Sequence, residues 1–221
     1  MESGFYNVSH EEKRGTPYAP TIVSSNDVYF DNCPKCGRGR FNKENRDLSL
    51  VIEGKRKLPD YLLCGHSSTL KIVSQRVVDV WQKYEITGYT AFPISKLLDK
   101  HGNEVHAESK YYNLIITGRI ELDFERMGVF IMAQCSTCGG LDYNKKTWEN
   151  WGVTVAKEGS YTGTDLFVAN RFEAAPICTR KMLEIVHKEK LTNFSFTTFE
   201  SKFSGIGGRV PIDLKTFFKT K

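Results

Sequence analysis

The chain has 221 residues, 40% of them hydrophobic, with 14 Phe, 10 Tyr and 3 Trp, which is apolar mass enough for a substantial core and excludes disorder as the starting expectation. Its 31 basic and 26 acidic residues leave a net charge of +5, spread along the chain, so the concentrated basic run of a nucleic-acid tail is missing. No basic-then-apolar leader opens the chain and no stretch approaches the roughly 18 apolar residues of a membrane span. A cytoplasmic protein with no membrane partner is therefore expected, and there six cysteines read as metal ligands and buried thiols before disulfides.

In chain order, the first thirty residues mix aromatic and polar positions around Gly15-Thr16-Pro17 and Pro20 and read as irregular, with one short strand through Val28-Tyr29-Phe30. Cys33-Pro34-Lys35-Cys36-Gly37 follows, a knuckle in which two thiolates point the same way. Strands are predicted over Leu48–Ile52, ended by Gly54, and over Tyr61–Cys64, stopped by Gly65. Ser74 is a good helix N-cap, with Val77, Val78, Trp81 and Tyr84 recurring on one face behind it and Val73 and Val78 placed for a hydrophobic staple. Ile86–Phe92 is strand-like up to Pro93, Asp99–Asn103 is a turn, and Tyr112–Leu122 reads as one long strand. Val129–Met132 delivers the chain to a second knuckle, Cys135-Ser136-Thr137-Cys138-Gly139.

The second half echoes the first. Thr179 with Met182, Leu183, Ile185 and Val186 gives a second capped amphipathic helix, and Leu191–Phe194 follows it as Ile86–Tyr89 follows the first, an offset of 191 − 86 = 105. At the same offset Asp60-Tyr61-Leu62-Leu63 falls on Asp165-Leu166-Phe167-Val168, and the knuckles are 135 − 33 = 102 apart. The expectation is an α+β protein of two similar halves, each mainly antiparallel sheet plus helix, joined by a zinc-ribbon-like knuckle pair. It would form a single compact unit over residues 1–221, with pseudo-duplication of about 28–100 and 129–200.

The duplication sorts the cysteines. Cys33, Cys36, Cys135 and Cys138 correspond between halves and are expected to hold one structural zinc, a reading favoured over a redox pair or free thiols because both turns carry the trailing Gly and neither opens a helix. Zinc would tie the halves together. Cys64 and Cys178 fall opposite Ala169 and Val73 and read as buried packing thiols. No catalytic set assembles, so a non-enzyme is expected. His187 follows Glu184 by three without the rest of an H-E-x-x-H motif, His101 and His106 flank a polar turn, and His66 sits beside Ser67 without a nucleophile elbow. Gly205-Ile206-Gly207-Gly208-Arg209 lacks the Lys-Ser/Thr of a phosphate loop, and Trp148 and Trp151 read as cover for the core beside the metal.

Two Cys-x-x-Cys-Gly turns about a hundred residues apart, with Leu63-Cys64-Gly65, Val73-Ser74-Gln75-Arg76-Val77 and Ile86-Thr87-Gly88-Tyr89 between them, make the chain resemble the bacterial double-CXXCG-motif immunity proteins. The resemblance covers about Asn32 to Phe199, and the second half departs from it at Thr179-Arg180-Lys181 and Asn193. It implies an inhibitor that binds and neutralises a cognate protein toxin, with the four cysteines as metal ligands and no toxin-contact residue identified. A basic inhibitor fits a non-nuclease toxin, or one with an acidic face, better than a nuclease. The alternative from the residues alone is a zinc-ribbon nucleic-acid-binding module using Arg38 and Arg40 after the first knuckle.

Overall fold

The computed structural model describes residues 4–10, 18–24, 30–41, 48–54, 57–64, 70–105, 107–143, 154–169, 172–199 and 211–218. In order these form β1 (Phe5–His10), β2 (Tyr18–Ser24), β3 (Phe30–Asn32), β4 (Gly39–Phe41), β5 (Leu48–Glu53), β6 (Tyr61–Cys64), β7 (Ile72–Ser74), α1 (Gln75–Lys83), β8 (Tyr89–Pro93), β9 (Lys96–Leu98), β10 (Tyr111–Ile116) and β11 (Gly118–Ile120). The remainder are β12 (Ile131–Gln134), β13 (Leu141–Tyr143), β14 (Leu166–Ala169), β15 (Phe172–Thr179), α2 (Arg180–Lys188), β16 (Phe194–Thr198) and the short α3 (Leu214–Phe217). His66, His106, Trp148, Trp151 and Gly205–Arg209 lie outside the described residues.

The protein is mostly β-sheet with two helices of nine residues, an α+β arrangement in the broad sense. Seven strands run in the order β8-β10-β7-β6-β2-β5-β9, five in the order β11-β14-β15-β1-β16, and β3-β4 and β12-β13 are separate two-stranded ribbons. Both large sheets are mixed: β6 runs parallel to β2 and β14 parallel to β11, while β7-β6 and β15-β14 are antiparallel.

The strand period of two explains the core. On β6 and β7, Tyr61 and Val73 face one apolar cluster and Leu62 and Ile72 another; on β14, Leu166 and Val168 face the first and Phe167 and Ala169 a third. The shared central cluster takes the buried faces of both helices, Val77, Val78, Val80 and Trp81 from α1 and Met182, Leu183, Ile185 and Val186 from α2. Strands covered on both faces read as continuous apolar runs, and β7 and β14 are buried at every position.

The same geometry recurs along the chain. β6-β7-α1-β8 and β14-β15-α2-β16 share their order, and both the helix starts (180 − 75 = 105) and the last strands (194 − 89 = 105) keep one offset. The turns after each helix match as well: Glu85 and Lys190 have positive φ of 53° and 52°, and Gly88 and Asn193 have positive φ of 95° and 65°. Each of these repeated segments also takes in a strand from outside itself. β1 lies between β15 and β16, with Phe5 opposite Thr179 and His10 opposite Phe194. β10 lies between β7 and β8, with Tyr111 opposite Ser74 and Ile116 opposite Tyr89.

Four sequence expectations change. The first thirty residues carry two full strands, not irregular chain; the alternation in Phe5–His10 is hidden because Tyr6 and Val8 face the central core while Asn7, buried between two strands, spends its amide on the Thr198 carbonyl at 2.9 Å. Tyr112–Leu122 is not one strand. The chain leaves the seven-stranded sheet at Ile116 and enters the five-stranded one at Gly118, where Thr117 and Gly118 both donate to the Gly88 carbonyl. Ile86–Phe92 becomes a strand only from Tyr89, since Leu166 uses the Thr87 carbonyl first. Ser74 and Thr179 occupy the N-cap positions without a side-chain cap; their hydroxyls donate instead to Asp60 Oδ1 at 2.8 Å and Asp165 Oδ1 at 3.1 Å.

Candidate metal centre

Each knuckle is the tip of one two-stranded ribbon. Cys33 leaves β3 and its amide closes the turn on the Arg38 carbonyl at 2.7 Å, while Gly37 donates back to Cys33 at 2.8 Å; Cys135 and Gly140, then Gly139 and Cys135, repeat both bonds at 2.8 Å. Gly37 and Gly139 both take φ of +68°, left-handed backbone that glycine adopts without a Cβ penalty, which turns the amides of each loop inward toward sulfur.

The two tips meet. Cys33 Sγ lies 3.8 Å from Cys135 Sγ and Cys36 Sγ lies 3.5 Å from Cys138 Sγ, and all four sulfurs fall within 4.8 Å of one another. Four thiolates at about 2.3 Å from a central zinc stand about 3.8 Å apart along the edges of the tetrahedron, so the cluster already has the dimensions of a four-sulfur metal site. Lys35 Nζ donates to Ser136 Oγ at 2.7 Å, Arg38 Nη1 to the Leu141 carbonyl at 2.6 Å, and the Arg38 guanidinium pairs with Asp142. These cross-ribbon bonds hold the tips together beside the sulfurs.

The local field sorts the thiols. The amides of Cys36 and Lys35 hold Cys33 below the ordinary thiol value, and those of Cys138 and Thr137 pull Cys135 down to about 6. The Arg38 amide favours the Cys36 thiolate too, yet desolvation and the three neighbouring sulfurs push that group up to about 11. Four thiols packed this closely cannot all ionise without a cation between them. A divalent metal would supply that cation, and with four protein ligands it would have no open coordination position, which suits a structural role. Cys33 is buried, Cys36 is exposed, and Cys135 and Cys138 are half-buried.

The other residues singled out in the sequence do not join this cluster. Cys64 and Cys178 are buried in two different cores, and burial pushes Cys64 up to about 12 and Cys178 well above the ordinary value, as expected of packing thiols. His101 is an exposed turn residue whose amide donates to Asp99. His187 stacks on Phe218 at 4.6 Å, while Glu184 pairs with Arg180 at 2.8 Å. One feature beside the cluster escaped the sequence reading: Phe130, Ile131 and Met132, just before the second knuckle, are 66%, 46% and 69% exposed. A short apolar run reads as a buried strand by pattern, and only the ribbon's position outside the two large sheets reveals otherwise.

No helix is long and apolar enough to cross a membrane among the described residues. Neither the protein-family models nor the curated proteins contain a match to this chain.

Proposed function

We propose that this chain is an immunity protein, a zinc-clasped binding protein of the cytoplasm that neutralises a cognate bacterial toxin by covering it, and that its body is a tandem of two equivalent units. The observation that carries the binding role is the exposed run Phe130, Ile131 and Met132, on a ribbon whose tip the four cysteines gather. Exposed large apolar side chains mark a protein-contact site, and here three consecutive ones lead into a ribbon whose tip the cross-braced cysteine cluster would hold rigid. The tandem reading is supported by the constant offset of 105 between matched helices and last strands and by the matched positive-φ pairs. The immunity assignment adds the double-knuckle resemblance. In this reading the four cysteines bind one zinc and the toxin is met by preformed apolar surface.

A nucleic-acid-binding zinc ribbon is the second reading, and one contact weighs against it. Arg38, the described basic side chain closing the first knuckle, is already engaged by Asp142 and the Leu141 carbonyl and has little charge left for phosphate. Co-expression with the product of the adjacent gene tests the proposal. Growth rescue and a stable complex are expected, whereas a folded chain that gives neither, and that binds DNA or RNA with steep salt dependence, would establish the alternative.

A further inference from the structure

The four sulfurs that suit one metal ion also stand in two pairs that cross from one ribbon to the other, Cys33 with Cys135 at 3.8 Å and Cys36 with Cys138 at 3.5 Å. Cys36 is exposed and both second-knuckle thiols are half-buried, so a small oxidant in solvent reaches the cluster. None of the four cysteines joins the three apolar clusters, although Cys33 is buried, whereas Cys64 and Cys178 do. The clasp can therefore change its chemistry without disturbing the packing of the sheets.

We propose that the clasp has a second, covalent state, in which a hydroperoxide converts the metal-binding cluster into two cross-ribbon disulfides, Cys33–Cys135 and Cys36–Cys138. Each thiolate pair gives two electrons to one hydroperoxide: an S–S bond forms, the O–O bond breaks, and two protons from solvent complete two waters for hydrogen peroxide, or water and an alcohol for an organic hydroperoxide. The metal leaves as the free divalent ion once its thiolates are spent. A disulfide needs sulfurs at about 2.05 Å, so the ribbon tips must approach by a little under 2 Å, a movement open to peripheral two-stranded ribbons. Both bonds link residues 102 apart, the same two ribbons that the metal would join. The ribbons thus remain joined in reducing surroundings by metal and in oxidising surroundings by sulfur. Pairing within each knuckle would do the opposite and part them. The inference rests on where the sulfurs stand, not on the toxin-binding reading.

The test uses the full chain in two forms, loaded with zinc or stripped by chelator under reductant, and treated with hydrogen peroxide. Free thiols titrated in denaturant should fall from six to two, the survivors being the buried Cys64 and Cys178. Peptide mapping should recover Cys33–Cys135 and Cys36–Cys138 links from both forms, a chromophoric chelator should report release of the zinc from the loaded one, and reductant should restore all six thiols. In a Cys36→Ser, Cys138→Ser variant the remaining Cys33–Cys135 link should still form. Links within the knuckles, or sulfinic acids without any link, would overturn the proposal in either form of the wild-type chain.

Discussion

Thr192 donates both its backbone N–H and its hydroxyl to one oxygen of Asp60, at 2.8 and 3.0 Å, across 132 residues of chain. Thr87 makes the matching pair of bonds to Asp165 Oδ2, at 3.1 and 3.2 Å. Each carboxylate also takes the hydroxyl at the head of the following helix and a cation two residues further on, Arg76 for Asp60 and Lys181 for Asp165. Two reciprocal latches therefore couple the residues that lead into β6 and β14 to the turns after α2 and α1, independently of the knuckles.

Replacing Asp60 by Ala should be among the more damaging single changes, costing about 3 kcal/mol, because it strands the Thr192 amide, the Ser74 hydroxyl and Arg76 together. Asp165→Ala should cost less, about 1–2 kcal/mol, since its side chain is 14% exposed against 9% and its cation is a lysine. Urea unfolding of the two variants checks the order. Equal losses would contradict the predicted order, and negligible losses would show that the latches do not hold the body together.

Gly88 has φ of +95°, and a Cβ there would meet the Leu166 carbonyl oxygen at 1.9 Å, so the backbones of residues 88 and 166 touch. Gly88→Ala should cost about 3 kcal/mol or more, through both the strained φ and the clash with backbone that cannot yield. Thermal melting with retained wild-type stability would contradict this close approach.

Lys71 is 3% exposed beside Cys64, and burial lowers its ammonium to about 8 from the ordinary 10.5. Below about pH 8 both folded and unfolded chains hold the proton, and the folded state bears the full desolvation cost. Between about 8 and 10.5 the unfolded chain binds more protons, so the lysine's contribution to stability rises with pH across that window. Lys71→Met, which makes the site apolar like Pro176 at the matched position, should stabilise by about 2 kcal/mol at pH 7 and by much less at pH 10. A gain that does not shrink with pH would place the lysine's cost elsewhere.

Much of the local structure was legible in the sequence. The helix faces led by Val77 and Met182 repeat with a period that survives in the fold, Tyr61–Cys64 is a strand, and Leu48–Ile52 lies in a strand that ends before Gly54. What was hidden depends on partners far along the chain. β1 is a strand because β15 and β16 leave a slot for it, and the Ser74 hydroxyl donates to Asp60 without capping its helix. The four cysteines were legible as a set from their spacing and trailing glycines; the exposure of Phe130–Met132 was not, because pattern alone cannot tell a core strand from an outlying ribbon. The knuckles gather two ribbons, and the insertion of β1 and β10, the shared core and the Asp–Thr latches join the rest.

On the proposed binding role, Phe130→Asp and Met132→Asp should each weaken a complex with the cognate toxin by about 100-fold or more, as loss of an apolar anchor at an interface does, while shifting stability by no more than about 0.5 kcal/mol. Titration calorimetry beside thermal melting separates the two effects. Unchanged affinity in the double variant would move the contact surface off this ribbon.

Cys33, Cys36, Cys135 and Cys138 are expected to hold one metal ion between two ribbons, and its removal is expected to leave the sheets folded. Native mass spectrometry of the full chain, purified under reductant and compared with a Cys36→Ser, Cys138→Ser variant, measures this most directly. The predicted result is one zinc per wild-type chain and none in the variant, with the sheet signature in circular dichroism unchanged between them. A wild-type chain that carries no metal when supplied with zinc, or a variant that loses its sheets with its metal, would contradict the claim.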